Sequence, residues 1–412
     1  MSEVAEMNIT EAIENKIDRS NWVKWKFSDL VENIVEKVVP KDSGLEHYIG
    51  LEHLDTESLK IRRFGETSTL IGDKLKIYKG DLIFAKRNAY LKRVAIAEFD
   101  AVASAHSMVL RPKSKNVNPD FLPFFLMSEV FWKRAIEISV GSLSPTINWK
   151  ALAKQEFLLP PKDQQAQLAE LLWAMDEVVE REREVLEMTS LARKSYEDYM
   201  LFGKFLTSKF KSTKIGEFPE SWKLEELQNI AWFQEGPGLR KWQFKDDGIK
   251  VINVTNLVNG FLELSNTTRH ISWEEFNSTY KHFECEVGDI VIASSGNSYC
   301  KHAVIREQDL PLVMNTSVIR FQPLKGIDYD FLNQLLKSRL FKSQIDILIT
   351  GGAQPNFGPM HLKQVVFPVP SEIETQKMIG SKLTRLDQEI SNIETKIQSS
   401  QSLQKSLINQ IF

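Results

Sequence analysis

The sequence is poor in cysteine and has no long apolar run. Only Cys285 and Cys300 occur among 412 residues, which excludes a disulfide framework and favours a reducing compartment. No apolar stretch approaches the roughly 20 residues that a membrane-spanning helix requires. Residues 1–20 lack a basic segment followed by an apolar one, so we expect an N-terminal extension rather than a signal peptide. These absences predict a cytoplasmic protein that does not bind a membrane.

Motifs for nucleotide, methyl or phosphoryl chemistry are also missing. The run Gly236–Gly238 lacks the third glycine and the helical context of a phosphate-binding loop. An adenine methyltransferase would carry Asn/Asp-Pro-Pro-Tyr/Phe, which Gln354–Phe357 matches only superficially. A nuclease needs clustered carboxylates and a lysine around Mg²⁺. Asp81 and Lys86 are close, but the matching segment Asp289–Ser294 has no lysine. We therefore expect no catalytic residues and no cofactor.

Four possible metal ligands lie in the second half of the chain: His282, Cys285, Cys300 and His302. Their spacing, His-x2-Cys-x14-Cys-x-His, does not closely match the usual structural zinc patterns, and the first half has no equivalent group. Ordinary buried or surface thiols are the favoured interpretation of the two cysteines. We therefore expect no metal site.

Charge is segregated along the chain, although the net charge is only −3. Residues 21–160 and 203–214 each carry +4, whereas residues 161–202 and 215–374 each carry −5. Nucleic-acid binding depends on local potential rather than on the total, so this distribution permits DNA binding. It also predicts that the acidic second half binds DNA weakly by itself.

The chain contains one unit twice. Phe157–Pro160 matches Phe367–Pro370, and Ser107–Arg111 matches Ser317–Phe321, both at an offset of 210. Further pairs lie at other offsets: Lys79–Ile83 with Val287–Val291 at 208, and Trp25–Leu30 with Trp222–Leu227 at 197. The period far exceeds that of solenoid repeats, so we interpret it as a domain duplication with insertions in loops.

Each half has the same predicted order of elements. A strand follows a Gly-Asp turn at Asp81–Ala85 and at Asp289–Ala293. A helix is predicted near Pro119–Ile138 and near Tyr329–Ile349, and a Gly-rich loop then leads to an apolar strand that ends in proline. The fold class is therefore α/β or α+β, with globular domains at 21–161 and 215–371 joined through a basic linker at 203–214.

Two long amphipathic helices are predicted at 162–202 and 372–412. The second carries apolar residues at alternating steps of four and three, which is coiled-coil periodicity: Ile379, Leu383, Leu386, Ile390, Ile393 and Ile397. Neither helix would be stable alone, because its apolar seam must be covered. The other long helix is the expected cover, with packing on its own domain as the alternative.

These features together resemble the specificity subunit of type I restriction-modification systems. The match is carried by an apolar strand ending in prolines and by a glutamine eleven residues before an aspartate, as in Phe157–Pro161 with Gln165–Asp176 and in Phe367–Pro370 with Gln376–Asp387. The loop Gly351–Phe357 and the Gly-Asp strands also resemble the target recognition domains of that family. The resemblance covers the chain after about residue 20.

The resemblance implies a DNA reader that has no catalytic site of its own. Each recognition domain would read one half of a split target in double-stranded DNA, and the long helices would pair antiparallel between them. The helices would dock two methyltransferase subunits, which bring S-adenosylmethionine, and restriction/translocase subunits would join the complex. The rival functions are a coiled-coil scaffold with protein-binding ends and, less favoured, a nuclease or methyltransferase with a disguised site.

Base edges and phosphates are bound by Arg, Lys, amide and hydroxyl side chains on projecting loops. The best cluster follows the first Gly-Asp strand and contains Lys86, Arg87, Asn88, Tyr90, Lys92 and Arg93. The equivalent loop of the second half contains Ser294, Ser295, Asn297, Tyr299 and Lys301, and thus exchanges cations for hydroxyls. Further candidates are Arg62, Arg63, Ser144, Thr146, Arg240, Lys241, Gln354 and Asn356. A solvated hairpin turn is the alternative for either loop.

Overall fold

The computed structural model describes residues 19–206, 208–265, 267–349 and 355–412. The chain divides into two compact units, one formed by the residues up to 185 together with 393–412, and the other by residues 186–392. Each long helix contributes one end to each unit. The first long helix is Lys162–Leu201 and the second is Ile373–Ile411.

The first unit is built on two sheets. A four-stranded antiparallel sheet has the order Val31–Ile34, Ser107–Pro112, Leu82–Ala85, Val94–Ile96. A five-stranded sheet has the order Lys37–Val38, Lys74–Ile77, Ala101–Ala103, His47–Ile49, Gly65–Glu66. Strand Val23–Lys26 pairs with Glu156–Leu159, and the α-helices outside the long helix are Phe27–Leu30, Leu122–Met127, Glu129–Glu137 and Trp149–Leu152.

The second unit repeats this arrangement. Its four-stranded sheet has the order Ala231–Glu235, Val318–Pro323, Ile290–Ala293, His302–Val304, and a three-stranded sheet has the order His270–Ile271, Ile249–Ile252, Leu312–Met314. Two-stranded pairs join Lys223–Glu226 to Val366–Val369, Phe210–Thr213 to Gly216–Pro219, and Leu257–Val258 to Phe261–Leu262. The α-helices outside the long ones are Leu227–Ile230, Trp273–Glu275, Tyr329–Lys337, Arg339–Leu348 and Pro359–Leu362. The equal strand order of the two four-stranded sheets confirms the predicted duplication, and the mixture of helices and sheets confirms the α+β class.

Strand register corrects one part of the sequence alignment. Val109 pairs with Ile83, and Arg320 pairs with Val291, so the strand Ser107–Pro112 corresponds to Val318–Pro323 at an offset of 211 instead of 210. Both strands are buried on both faces and lack a polar–apolar alternation, so sequence alone could not fix their register.

The helix predicted after the central strands is two helices in each unit. The break falls at Ser128 and at Ser338, whose hydroxyls accept hydrogen bonds from the backbone N–H of Phe131 and Phe341 at 3.3 and 3.2 Å. A serine in this N-cap position satisfies one of the free amides at the start of the next helix.

Aromatic packing dominates the core of the first unit. Fully buried side chains there include Phe27, Phe84, Phe125, Phe131 and Trp132. Complete burial of one such side chain stabilises a fold by about 1.5–3 kcal/mol. The same core includes Leu172 of the first long helix and Ile408 of the second, so each helix packs on the globular domain as well as on its partner helix.

The helices are antiparallel within each unit. In the first unit, Gln404 Nε2 donates to Asp176 Oδ1 at 3.2 Å and Lys396 Nζ lies 3.2 Å from Glu182 Oε1. Residue numbers therefore rise on one helix as they fall on the other. In the second unit, Arg193 Nε donates to Asp387 Oδ1 at 2.9 Å.

The repeated glutamine fastens each long helix to its domain. Gln165 Oε1 accepts from the backbone N–H of Asn118 at 2.7 Å, and Gln376 Oε1 accepts from that of Asp328 at 2.9 Å. Their amide groups donate to the carbonyls of Pro160 and Pro370, at 2.8 and 2.9 Å respectively. Both side chains are buried, so these hydrogen bonds replace those otherwise made with water.

The basic segment at 203–214 has structure of its own. Phe210–Thr213 is a strand, Phe202 and Phe205 pack against the core of the second unit, and Lys211 Nζ donates to the carbonyl of Trp222 at 2.5 Å. The described part of this segment therefore belongs to the second unit, and its role as a linker between the domains stays a prediction. Among the described residues, no helix is both long and apolar enough to cross a membrane.

Candidate nucleic-acid interface

Three loops meet at the end of the central strand Leu82–Ala85 in the first unit. Arg87 and Thr146 form an isolated antiparallel bridge. The backbone N–H of Lys86 donates to the carbonyl of His106 at 3.2 Å, and that of Ile147 donates to the carbonyl of Lys86 at 2.8 Å. Main-chain hydrogen bonds thus bring residues from three separate loops together.

The second unit repeats this frame bond for bond. Ser295 and Asn356 form the bridge. The N–H of Ser294 donates to the carbonyl of Ser317 at 2.8 Å, and that of Phe357 donates to the carbonyl of Ser294 at 3.0 Å. We call these corners the first and second reading corners; they comprise residues 86–88, 106 and 144–147 and residues 294–296, 316–317 and 355–358.

The first reading corner carries an exposed guanidinium in a polar network. Arg87 Nε donates to Ser144 Oγ at 3.1 Å, and the Ser144 hydroxyl donates to Asn88 Oδ1 at 2.6 Å. Arg87 also lies 3.4 Å from His106 Nε2 through Nη1. Burial and the positive charges of Arg87, Lys86 and Lys74 lower the pKa of His106, so the imidazole is neutral at pH 7 and the exposed cation of this corner is Arg87.

The side chains of Lys86 and Tyr90 differ in solvent exposure. Lys86 is half-buried, and burial lowers the pKa of its ammonium group. The side chain of Tyr90 is exposed. The Thr146 hydroxyl donates to the carbonyl of Ser144 at 3.0 Å, so this side chain stabilises the local turn.

Four predicted cations of the first unit have protein partners. Lys92 Nζ donates to Glu129 Oε2 at 2.5 Å, and Arg93 Nη1 donates to the carbonyl of Leu51 at 2.5 Å. Arg62 pairs with Glu180 of the first long helix, and Arg63 pairs with Asp55. The structure therefore brings only Lys86, Arg87, Asn88, Ser144 and Thr146 together, while Arg62 connects the domain to the helix.

The turn after the central strand sets the residue-by-residue alignment of the two loops. Asn88 and Gly296 both adopt left-handed backbone conformations, with φ of 56° and 67°. Lys92 and Cys300 do the same further on, with φ of 47° and 61°. The loops thus align at an offset of 208, so Asn297 and Tyr299 are not counterparts of Asn88 and Tyr90. Asparagine and glycine share the first position because both tolerate positive φ.

The second reading corner has no guanidinium at the position of Arg87, where Ser295 lies. Ser294 is buried, whereas Asn297 and Lys301 are exposed. The Tyr299 hydroxyl donates to Asp346 Oδ1 at 2.7 Å and accepts from Lys342, so this tyrosine is tied to a neighbouring helix. Gln354 lies outside the described residues.

Arg240 and Lys241 begin a short turn in the loop after strand Ala231–Glu235. Gln243 closes it by accepting a hydrogen bond from the N–H of Arg240 at 2.7 Å. Trp242 is 75% exposed between these residues. Arg240, Lys241 and Trp242 are all exposed, so this turn presents two cations and an aromatic ring to solvent.

Sequence reasoning missed Glu235. Its Oε1 accepts from the Thr316 hydroxyl at 3.4 Å, and its Oε2 lies beside Gly358 of the second reading corner. By strand register its counterpart in the first unit is Val35, the residue after Ile34. A comparison of the two halves therefore does not identify Glu235 as a functional candidate. Its place at the end of a strand that leads into a Gly-Pro-Gly turn is the one available indication.

The residues weighed for metal or nuclease chemistry have structural roles. Arg111 Nε donates to Asp81 Oδ1 at 2.5 Å, and Arg320 Nη1 donates to Asp289 Oδ2 at 3.2 Å, so both Gly-Asp aspartates fix neighbouring strands. Cys285 packs in a different apolar cluster from Cys300, and burial raises the pKa of the Cys300 thiol to about 12. Within the described ranges, no three His, Cys, Asp or Glu side chains are grouped to hold a metal.

The two units agree with a known family at the level of sequence. A family model described as the type I restriction modification DNA specificity domain matches residues 20–188 and again residues 219–400. The chain belongs to this family. Each match covers one copy of the duplicated globular domain and part of the long helix that follows it, so the chain carries two target recognition domains.

Individual relatives match with low identity. The chain is 24% identical over 375 residues to the type I restriction enzyme MjaVIII specificity subunit of Methanocaldococcus jannaschii, covering 89% of this chain and 86% of that protein. It is 26% identical over 190 residues to the EcoDI specificity subunit of Escherichia coli, covering 43% and 41%. The crystal structure of the type I restriction-modification S subunit from M. genitalium matches at a TM-score of 0.58 and 16% identity, covering 97% and 98%. That likeness supports the fold.

Proposed function

We propose that this chain is a non-catalytic, cytoplasmic DNA reader with one recognition domain for each half of a split target. The observation that carries the proposal is the pair of reading corners. The same main-chain hydrogen bonds hold both, yet Arg87 stands in one where Ser295 stands in the other. Base edges are distinguished by their donor and acceptor patterns, so different side chains on one frame suit two different half-sites.

The proposed domains follow the duplication: recognition domains at 21–161 and 215–371, and long helices near 162–202 and 372–412. The long helices would hold the recognition domains in place and bind two methyltransferase subunits, with restriction subunits joining the larger complex. The first long helix supports this role because it exposes apolar side chains in steps of seven residues, Leu171, Val178 and Val185, in the first unit. Met188 and Leu191 are likewise exposed in the part that belongs to the second unit.

Exposed apolar side chains repeated along one face of a helix are expected where another protein covers that face. Val178→Asp should weaken binding of the methyltransferase subunit at least about 10-fold, because it places a charge in a desolvated contact. Val287→Asp is the matched control, since Val287 is similarly exposed on a turn of the second unit. Equal effects of both substitutions in a binding titration would contradict this placement.

The function is tested with the purified chain, its methyltransferase subunit and S-adenosylmethionine on random-sequence DNA. Methylation confined to a motif of two short sequences separated by a spacer of fixed length is the expected result. Methylation or binding without sequence preference would contradict the proposal and favour the protein-binding scaffold. Methylation or cleavage by the chain alone would contradict a non-catalytic role.

A further inference from the structure

Glu235 lies where the second recognition domain offers its reading residues. It ends the edge strand Ala231–Glu235, with its backbone paired to Ile319. A Cβ built on Gly358 would lie 3.8 Å from Glu235 Oε2, and Gly358 follows Asn356 by two residues. Because Asn356 bridges Ser295, the carboxylate belongs to the same corner as the polar loops.

The carboxylate has spare capacity to accept hydrogen bonds. Thr316 supplies one long hydrogen bond, and within the described part of the chain Glu235 forms no ion pair. Other shielded carboxylates of this unit are paired with arginine: Glu197 with Arg193, Asp289 with Arg320, and Asp309 with Arg306. Partial burial also raises the pKa of Glu235, as expected for a carboxylate without a cationic partner.

Such a group is unsuited to the DNA backbone, because phosphates carry the same charge and offer no donor. Among the base edges of the major groove, guanine offers acceptors and thymine offers an acceptor and a methyl group. Adenine offers an amino donor beside the N7 acceptor, whose lone pair repels a carboxylate. Cytosine offers the N4 amino donor, and the neighbouring major-groove atom of the same base is the C5–H carbon, which is not an acceptor.

We infer that Glu235 reads a cytosine in the half-site of the second recognition domain by accepting a hydrogen bond from its N4 amino group. The inference deepens the proposed function and rests on it. Glu235 also excludes guanine and thymine, because a half-buried carboxylate facing an acceptor is repelled. The Thr316 hydroxyl positions the carboxylate.

The first recognition domain has no such group. Strand register places Val35 at the position of Glu235 and Ala105 at that of Thr316. The exposed polar group of the first corner is instead the Arg87 guanidinium, which can only donate. The first corner therefore requires a hydrogen-bond acceptor on the base edge, whereas the second requires a hydrogen-bond donor.

The test is Glu235→Gln in the full chain with its methyltransferase subunit on random-sequence DNA, read out as the methylated motif. Glutamine keeps the size of the side chain but adds a donor, so adenine becomes acceptable. Cytosine preference at one position of one half-site should fall by roughly 10- to 100-fold, the usual value of one base contact. Glu220→Gln is the matched control, because it removes the same charge from an exposed site of the same unit.

If the wild-type motif is split and Glu235→Gln changes it no more than Glu220→Gln does, this inference is overturned but the proposed function stands. A wild-type complex that methylates without sequence preference overturns the proposed function as well. Glu235→Asp is the second variant, for use if Glu235→Gln does not fold. It keeps the charge but shortens the side chain by one methylene, so the preference for cytosine at the same motif position should fall. Relaxation at a position of the other half-site would also overturn the assignment.

Discussion

Replacing Arg193 by alanine should loosen the helix pairing of the second unit more than any exposed substitution. Its guanidinium is 8% exposed and donates to Asp387, Glu197 and Gln334 at 2.9, 2.8 and 2.7 Å. Removing one partner of a buried ion pair costs about 3–5 kcal/mol, because the other charge stays buried and unpaired.

The lower end of that range applies here. Asp387 keeps Lys337 at 2.9 Å, and Glu197 keeps the backbone N–H of Arg339 at 2.9 Å. We therefore expect a loss of about 3 kcal/mol in the free energy of opening. Arg385→Ala is the control, since Arg385 is 83% exposed and its ion pair with Glu389 contributes at most about 0.5 kcal/mol.

Hydrogen exchange followed by mass spectrometry measures this locally. Peptides from 186–201 and 373–392 should exchange about 100-fold faster in the Arg193→Ala variant, which corresponds to about 3 kcal/mol. Exchange accelerated by less than about threefold, or no more than in Arg385→Ala, would refute the buried network as a source of stability.

Four further results are expected. Burial raises the pKa of Asp176, so its charged form costs stability as pH rises above its unfolded pKa, and Asp176→Asn should stabilise the first unit at pH 7 in a denaturation experiment. Burial raises the pKa of Asp387, but its two cationic neighbours outweigh burial and lower the pKa, so stability is lost as pH falls. Asp387→Asn should therefore cost about 1–3 kcal/mol at pH 7. If Asp176→Asn and Asp387→Asn change the free energy of unfolding in the same direction, this reasoning is contradicted. Gln376→Ala should cost about 1–3 kcal/mol by denaturation, because it removes two buried hydrogen bonds, and a neutral result would count against the glutamine as a clamp. Arg87→Ala should relax the motif in one half-site only, whereas Lys92→Ala should leave the motif unchanged because Lys92 is held by Glu129, and a motif altered equally by both would contradict the placement of the first reading corner.

The sequence was sufficient for the duplication, the long helices and the family, because each leaves a local or periodic pattern. It was not sufficient for the register of the central strands, since Leu82–Ala85 and Ile290–Ala293 are buried on both faces and show no alternation. It also could not show which cations are free. Arg62 and Arg93 have partners far away in the chain, Glu180 and the carbonyl of Leu51, which no local pattern reveals.

The candidate site was predicted in part for a similar reason. The loops were found because they follow the repeated Gly-Asp strands. The pairing of Asn88 with Gly296 depends on backbone conformation, which is visible only once both residues are seen at positive φ. Glu235 was not predicted because the candidate residues were found by comparing the two halves. Valine occupies the equivalent position in the first half, so that comparison gives no signal at Glu235.

The most direct test of the central claim compares the methylated motifs of Arg87→Ala and Glu235→Gln with that of the wild-type complex. If the two reading corners share one main-chain frame but read different sequences, the wild-type motif is split. Arg87→Ala then relaxes the sequence preference in one half of the motif, and Glu235→Gln relaxes it in the other. A continuous motif, or two variants that relax the same half, would contradict it.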